Sequence, residues 1–217
     1  MPKPTPRTAV LFAATALALL AGCASAPDAA ATGPAWQPLF DGKGLGAFAS
    51  TDFGGQGEVA VRDGALVLGI GSPLTGVTWT GEPPAGSYEL EVVAARVQGG
   101  DFFCGLTFPV GQDHLTLVLG GWGGSLCGFS SLDGNDAAHN DSRCMRGFAD
   151  GQDYTVRVTV TPEQVEATLD GQPLCAIDPR KHALSLRPEV RLSRPLGLAS
   201  FATESAIRQV RWRPLGR

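Results

Sequence analysis

Histidine is scarce in this chain, and its histidines stand close to carboxylates. Asp113 precedes His114, Asp133, Asp136 and Asp141 surround His139, and His182 is the third. Imidazole beside carboxylates is general acid–base equipment near neutral pH. His114 as base, with Asp133 and Asp136 as acids, is the proton-transfer set these residue types suggest. The alternative is a histidine hydrogen-bonded on a polar rim. Asp133, Asn135, Asp136 and Asp141 also offer oxygen ligands for calcium, which takes roughly six to eight. The EF-hand spacing is absent, and a solvated loop tip has the same composition. No other metal and no cofactor is expected, because the sequence shows no nucleophile elbow, phosphate-binding loop or HExxH segment.

Whether these groups meet depends on the elements that carry them. With 29 glycines, 16 prolines and 18% charged residues, the composition suits a turn-rich β protein. From Trp36 onward the dominant pattern is period-two alternation broken by glycine. Glu58–Arg62 and Ala65–Ile70 flank Asp63-Gly64, and Gln164–Leu169 and Gln172–Ile177 flank Asp170-Gly171. Asp-Gly supplies the positive φ angles of a type I′ hairpin turn. Tyr88–Val97, Tyr154–Val160 and Ile207–Arg213 alternate in the same way. The pattern predicts about a dozen strands and no helix beyond a single turn at Gly42–Leu45, an all-β sandwich of two antiparallel sheets.

A register for the central meander follows from its turns. Centring the first on Gly111 sets Cys104 opposite Val118 and Phe108 opposite His114. A turn at Trp122-Gly123 sets Cys127 opposite Val118 and Ser131 opposite His114. The polar connection Leu132–Asp141, centred between Asn135 and Asp136, then sets Cys127 opposite Cys144, within reach of a disulfide. Cys104 falls two strands away, too far to bridge; the alternative is that these cysteines are small buried apolar residues. The same register gathers His114, Thr116 and Ser131 on one face with Phe108 and Phe129. It brings Asp133, Asn135, Asp136 and His139 to the adjoining rim. Hydroxyl-rich rings want fixed polar partners and an aromatic cover, so such a patch fits a sugar. Trp122 among four glycines is a candidate platform, or a core-covering tryptophan, and Asp101 after two glycines either caps a strand or enters the patch.

The N-terminus carries a different chemistry. Lys3 and Arg7 precede an apolar run, Ala9 to Leu20, which ends at Leu20-Ala21-Gly22-Cys23. Charged, apolar and small-residue regions in that order form a secretory signal. The run is shorter than the roughly 20 residues that span a bilayer. The segment resembles a bacterial lipobox, which implies cleavage before Cys23, a lipid on that cysteine and a protein held in the cell envelope. Ala24, rather than aspartate, points to the outer membrane or its periplasmic face. The expected organisation is a signal at 1–22, a lipidated tether at 23–35 and one domain at 36–217. Losing Lys3 and Arg7 lowers Lys+Arg from 17 to 15 against 21 Asp+Glu, a formal charge of −6. That balance argues against a nucleic-acid partner.

Trp36 and the segment Leu39-Phe40-Asp41-Gly42-Lys43-Gly44-Leu45 resemble the opening of the 3-keto-disaccharide hydrolase domain family. Val61–Leu66, Tyr88–Val92, Gln164–Gly171, Gly197–Ala199 and Ala206–Arg211 resemble its later segments, in order. The resemblance implies a concanavalin A-like jelly roll and cleavage of oxidised disaccharides. Gly99–Gly105 departs from the Asn-Ser-Gly segment such proteins carry there, so no catalytic residue is transferred. In related jelly-roll glycosidases closely spaced acids on one strand do the chemistry; Glu89 and Glu91 have that spacing, yet a third acid is missing and a solvated strand face is expected. Three functions remain: a glycoside-cleaving enzyme, a non-catalytic carbohydrate-binding or adhesion module, and a structural lipoprotein without ligand.

Overall fold

The computed structural model describes Met1 and residues 34–216; the signal segment, Cys23 and nearly all of the tether lie outside the described residues. The first strands are β1 Gln37–Phe40, β2 Phe48–Ser50, β3 Val59–Arg62, β4 Ala65–Leu68 and β5 Leu74–Trp79. Next come β6 Tyr88–Gly99, β7 Cys104–Val110, β8 Asp113–Gly120, β9 Leu126–Ser130 and β10 Cys144–Met145. The last are β11 Tyr154–Val160, β12 Val165–Leu169, β13 Gln172–Ile177, β14 Gly197–Phe201 and β15 Thr203–Pro214. They form two antiparallel sheets. The first runs β13-β12-β11-β6-β15-β4-β3, with β1 on β15; the second runs β10-β9-β8-β7-β14-β5-β2.

Alternation along the strands makes the sandwich. Leu90, Val92, Val156, Val158 and Ile207 of the first sheet are fully buried, as are Leu106, Phe108, Leu115, Leu117 and Phe129 of the second. Each such side chain contributes about 1.5–3 kcal/mol by leaving water. Both Asp-Gly hairpins form as expected. Asp63 and Gly64 take φ of 49° and 76°, Asp170 and Gly171 take 48° and 75°, and the flanking residues Arg62–Ala65 and Leu169–Gln172 pair. Gly42–Leu45 is a bend, not a helical turn. The helical turns that form are the four-residue turn Gly121–Gly124 between β8 and β9, with left-handed angles at Trp122 and Gly123, and 3₁₀ turns at Pro179–Lys181 and Pro188–Ser193 in the long loop between β13 and β14.

The meander register differs from the expected one by a single residue. Cys104 faces Leu119, Phe108 faces Leu115 and Pro109 faces His114, because the turn is the two-residue Gly111-Gln112. Across the next turn Thr116 faces Ser130 and Leu119 faces Cys127. A one-residue shift exchanges the two faces of a strand pair. Phe108 and Phe129 therefore lie in the core. Thr116 stands on the outer face with Thr107, their hydroxyls 2.8 Å apart, and Ser130, not Ser131, joins them across the sheet.

Cys127 does face Cys144, and both are free thiols here. Their mutual hydrogen bond, with help from Arg146, brings Cys144 down to about 7 against the opposing effect of burial. That same contact and burial push Cys127 up, and burial pushes Cys104 up to about 12. Mild oxidation is expected to join Cys127 to Cys144 and spare Cys104. Peptide mapping without reductant checks this; a bridge to Cys104 in its place is the contrary result.

The outer face of the first sheet is not a simple solvated surface. Glu91 is 2% exposed. One of its oxygens accepts from Arg157 Nε and Nη2 at 3.0 and 2.6 Å, the other from Arg211 Nε at 2.8 Å. Glu89 pairs with Arg213 at 2.5 Å. Trp36 lies against all three guanidinium groups, 4.6–5.3 Å from its ring centre. These two acids are thus committed to arginines on the opposite side of the molecule's core from the outer face of the second sheet.

Candidate functional site

A cavity of about 250 Å³ opens on the outer face of the second sheet. Thr116, Val118 and Ser130 form its floor, Asp101, Phe102, Trp122 and Phe201 its edge, and Arg187, Glu189 and Val190 its roof. The roof belongs to the β13–β14 loop. Val190 anchors that loop in a small apolar cluster with Leu74 and Ala199, flanked by Phe53, Phe102, Leu186 and Phe201. Pro188 opens the 3₁₀ turn, where its fixed φ is already suitable. The Thr78 hydroxyl donates to the Leu192 carbonyl at 2.8 Å and closes the far side.

Asp101 is held by the turn after β6. Gly99 has φ 117°, and a Cβ there would lie 2.7 Å from the Ala202 carbonyl oxygen and Thr203 Cα, so only glycine fits. The Asp101 amide donates to the Thr203 hydroxyl at 3.0 Å. Its carboxylate accepts from the Phe102 amide at 2.8 Å and the Gly123 amide at 3.5 Å. Trp122 is 43% exposed beside it. Its backbone sits at φ 48°, ψ 54°, a left-handed conformation that is strained for a bulky residue. The turn Gly120–Gly124 imposes that conformation and presents the indole at the cavity mouth.

Glu189 is placed through a chain of charges. Arg187 Nε donates to the Glu189 carboxylate, and Arg187 Nη1 donates to Asp136 Oδ2 at 2.6 Å. The other Asp136 oxygen accepts from the Ala138 amide at 3.0 Å and meets His139 Nδ1 at 2.6 Å. Asp136 therefore acts through Arg187 as a positioning residue.

The expected trio of His114, Asp133 and Asp136 does not share one cavity. After β9 the chain leaves β8 and pairs with the β13–β14 loop instead. The Ser131 amide donates to the Ser185 carbonyl at 2.8 Å and the Asp133 amide to the Ala183 carbonyl at 2.9 Å. Asp133 meets His182 at 2.7 Å and accepts from the Ala183 amide at 2.8 Å. The His182 contact, then the Ala183 amide, holds the Asp133 carboxyl below the usual carboxylate range. Asn135 closes a tight turn by exchanging backbone hydrogen bonds with Leu132. His139 points largely to solvent. His114 lines a separate cavity with Gln112, Asp113, Ser185, Arg191 and Arg194. Burial, then Arg194, lowers its pKa, with Asp113 opposing.

Three of the expected contacts, Asp101, Thr116 and Trp122, do line the aromatic cavity. The oxygens of Asp133 and Asp136 are directed at different partners, and among the described residues no group of three or more metal-ligating side chains converges. Sequence reasoning missed Arg187, Glu189 and the two phenylalanines. The available signal was the loop itself, about 20 residues with three prolines and several charges, too long for a plain hairpin.

Neither a family model nor a curated protein sequence matches this chain. Solved structures do match. The Crh5 transglycosylase, solved with NAG, has a TM-score of 0.60 at 11% identity, covering 83% of this chain and 84% of that one. The VIP36 exoplasmic/lumenal domain, solved with Ca²⁺ and Man3GlcNAc, has 0.54 at 11%, covering 82% and 88%. A protein assigned as a glycosyl hydrolase from Parabacteroides distasonis ATCC 8503 has 0.52 at 14%, covering 83% and 94%. At these identities the likeness establishes the fold, a jelly-roll sandwich of two antiparallel sheets.

Proposed function

We propose that this chain is an exported lipoprotein, anchored through Cys23 in the cell envelope, whose jelly roll binds and cleaves carbohydrate in the aromatic cavity. The observation that carries the reading is the pairing of two carboxylates from different segments, Asp101 and Glu189, at one cavity edged by Trp122, Phe102 and Phe201. Sugar hydroxyls and an apolar ring face match those two kinds of wall. The structural neighbours that hold NAG or Man3GlcNAc support carbohydrate as the ligand class.

The reaction favoured is cleavage of 3-keto-glycosides, the class suggested by the resemblance of the N-terminal and hairpin segments. An ordinary glycosidase needs one carboxyl that donates a proton to the leaving oxygen. Every hydrogen-bond partner of the Asp101 and Glu189 carboxylates is a donor, two amides and a guanidinium, which suits carboxylates that accept. A ketone at C3 makes the C2 proton acidic, so cleavage starts with a base alone. Asp101 or Glu189 takes that proton, the C1–O bond breaks, water protonates the departing alkoxide, and the resulting hydroxide adds at C1 while the carboxyl returns its proton to C2, which yields the alcohol and the 3-keto sugar and restores the base.

Non-catalytic binding is the second reading, and the same donor-only surroundings favour it. Incubation of the purified chain with a 3-keto-disaccharide and its parent disaccharide separates the two. Release of reducing sugar from the keto form alone is expected. Saturable binding without turnover selects the second reading, and neither binding nor turnover removes both.

A further inference from the structure

The cavity that holds His114 is polar, about 400 Å³, and lined by Gln112, Asp113, Ser185, Arg191 and Arg194. Among the described residues neither Arg191 nor Arg194 has a carboxylate partner, whereas the arginines on the opposite sheet are paired. The Arg194 Nε–H is directed at the Arg191 carbonyl at 3.3 Å, which leaves the rest of its fork open. In a chain of net charge −4, two unpaired guanidinium groups converging with a histidine and an amide are an anion-recognition set. Asp113 is the one acid on this wall.

The two cavities share a wall and a floor. Arg187, Glu189 and Val190 face the aromatic cavity, while Leu184, Ser185, Leu186 and Arg191 of the same loop face the polar one. On β8, His114 and Thr116 lie on one strand face, two residues and so about 7 Å apart. A linear ligand running from one cavity to the other along that strand would have about that distance to bridge.

We propose that the polar cavity is a subsite for an anionic substituent, a carboxylate or sulfate, on the sugar residue adjoining the one in the aromatic cavity. The ligand would then be an acidic carbohydrate. This inference rests on the sugar reading of the aromatic cavity, and the test separates them. The purified full-length chain in detergent is titrated calorimetrically with a glucuronate-bearing disaccharide, its neutral glucose counterpart, free glucuronate and inorganic sulfate. The acidic disaccharide is expected to bind about tenfold tighter than the neutral one at low salt. Arg191→Gln and Arg194→Gln abolish that preference and leave neutral binding unchanged; Asp113→Asn enlarges it. Equal affinity for the two disaccharides, or a preference that survives both glutamine variants, overturns the inference. Free glucuronate or sulfate binding as tightly as the acidic disaccharide overturns the shared-ligand assignment. Free anions bound through Arg191 and Arg194, with no neutral sugar bound, would leave an anion site and remove the sugar reading.

Discussion

Asp101→Asn is expected to lower kcat/KM on a 3-keto-disaccharide by about 10²–10⁴-fold, the usual contribution of a positioned base. The fold should not change. The asparagine carbonyl oxygen still accepts the Phe102 amide hydrogen, and the Asp101 amide still donates to Thr203. Glu189→Gln tests the alternative assignment of the base. The variant with the larger loss in kcat, at unchanged affinity, identifies the proton acceptor. Asp136→Asn acts one contact further out, by loosening Arg187, so its loss is smaller and Arg187→Lys shares it. Equal activity in Asp101→Asn and Glu189→Gln, measured beside an active parent, contradicts the assignment of both.

The largest stability effect outside the core is expected at Glu91. Glu91→Ala leaves Arg157 and Arg211 without the carboxylate that both grip. Breaking a fully buried pair costs about 3–5 kcal/mol. The two arginine side chains are 40% and 32% exposed and partly rehydrate, which lowers the expected cost to about 2–3 kcal/mol. Denaturant unfolding measures it through the midpoint at constant slope. A loss under about 0.5 kcal/mol would mean that the network behaves as an ordinary surface pair.

What could be read from residues alone was local. Asp63-Gly64 and Asp170-Gly171 carry their own φ preferences, so both hairpins turn where expected, the second with a bulge between Ala167 and Thr168. The alternation of Tyr88–Val97 and Tyr154–Val160 located the inner strands because burial selects every second residue. Gly111 illustrates the limit. One residue more in this turn moves Phe108 from the ligand face to the core, and one more in the following turn at Gly120–Gly124 does the same to Phe129 and replaces Ser131 by Ser130. Glu91 read as solvated because its partners, Arg157 and Arg211, are 66 and 120 residues away. Glu189 was invisible for the same reason. Its place depends on Val190 finding Leu74 and Ala199, contacts between segments far apart in the chain. Asp101 and Trp122 stood out as a polar and an aromatic residue beside glycines, and Thr116 because period-two alternation puts it on the same face of β8 as His114.

The claim at the centre is that the Trp122-edged cavity holds the sugar ring. Trp122→Gly tests it most directly, because it removes the indole and also relieves the left-handed backbone at φ 48°. Titration of the parent and the variant with a 3-keto-disaccharide should show an affinity loss of about tenfold or more, a typical cost of removing an aromatic platform of roughly 1.4 kcal/mol. The Tm should stay within a few degrees. Undiminished affinity in a folded Trp122→Gly variant would place the ligand elsewhere on the molecule.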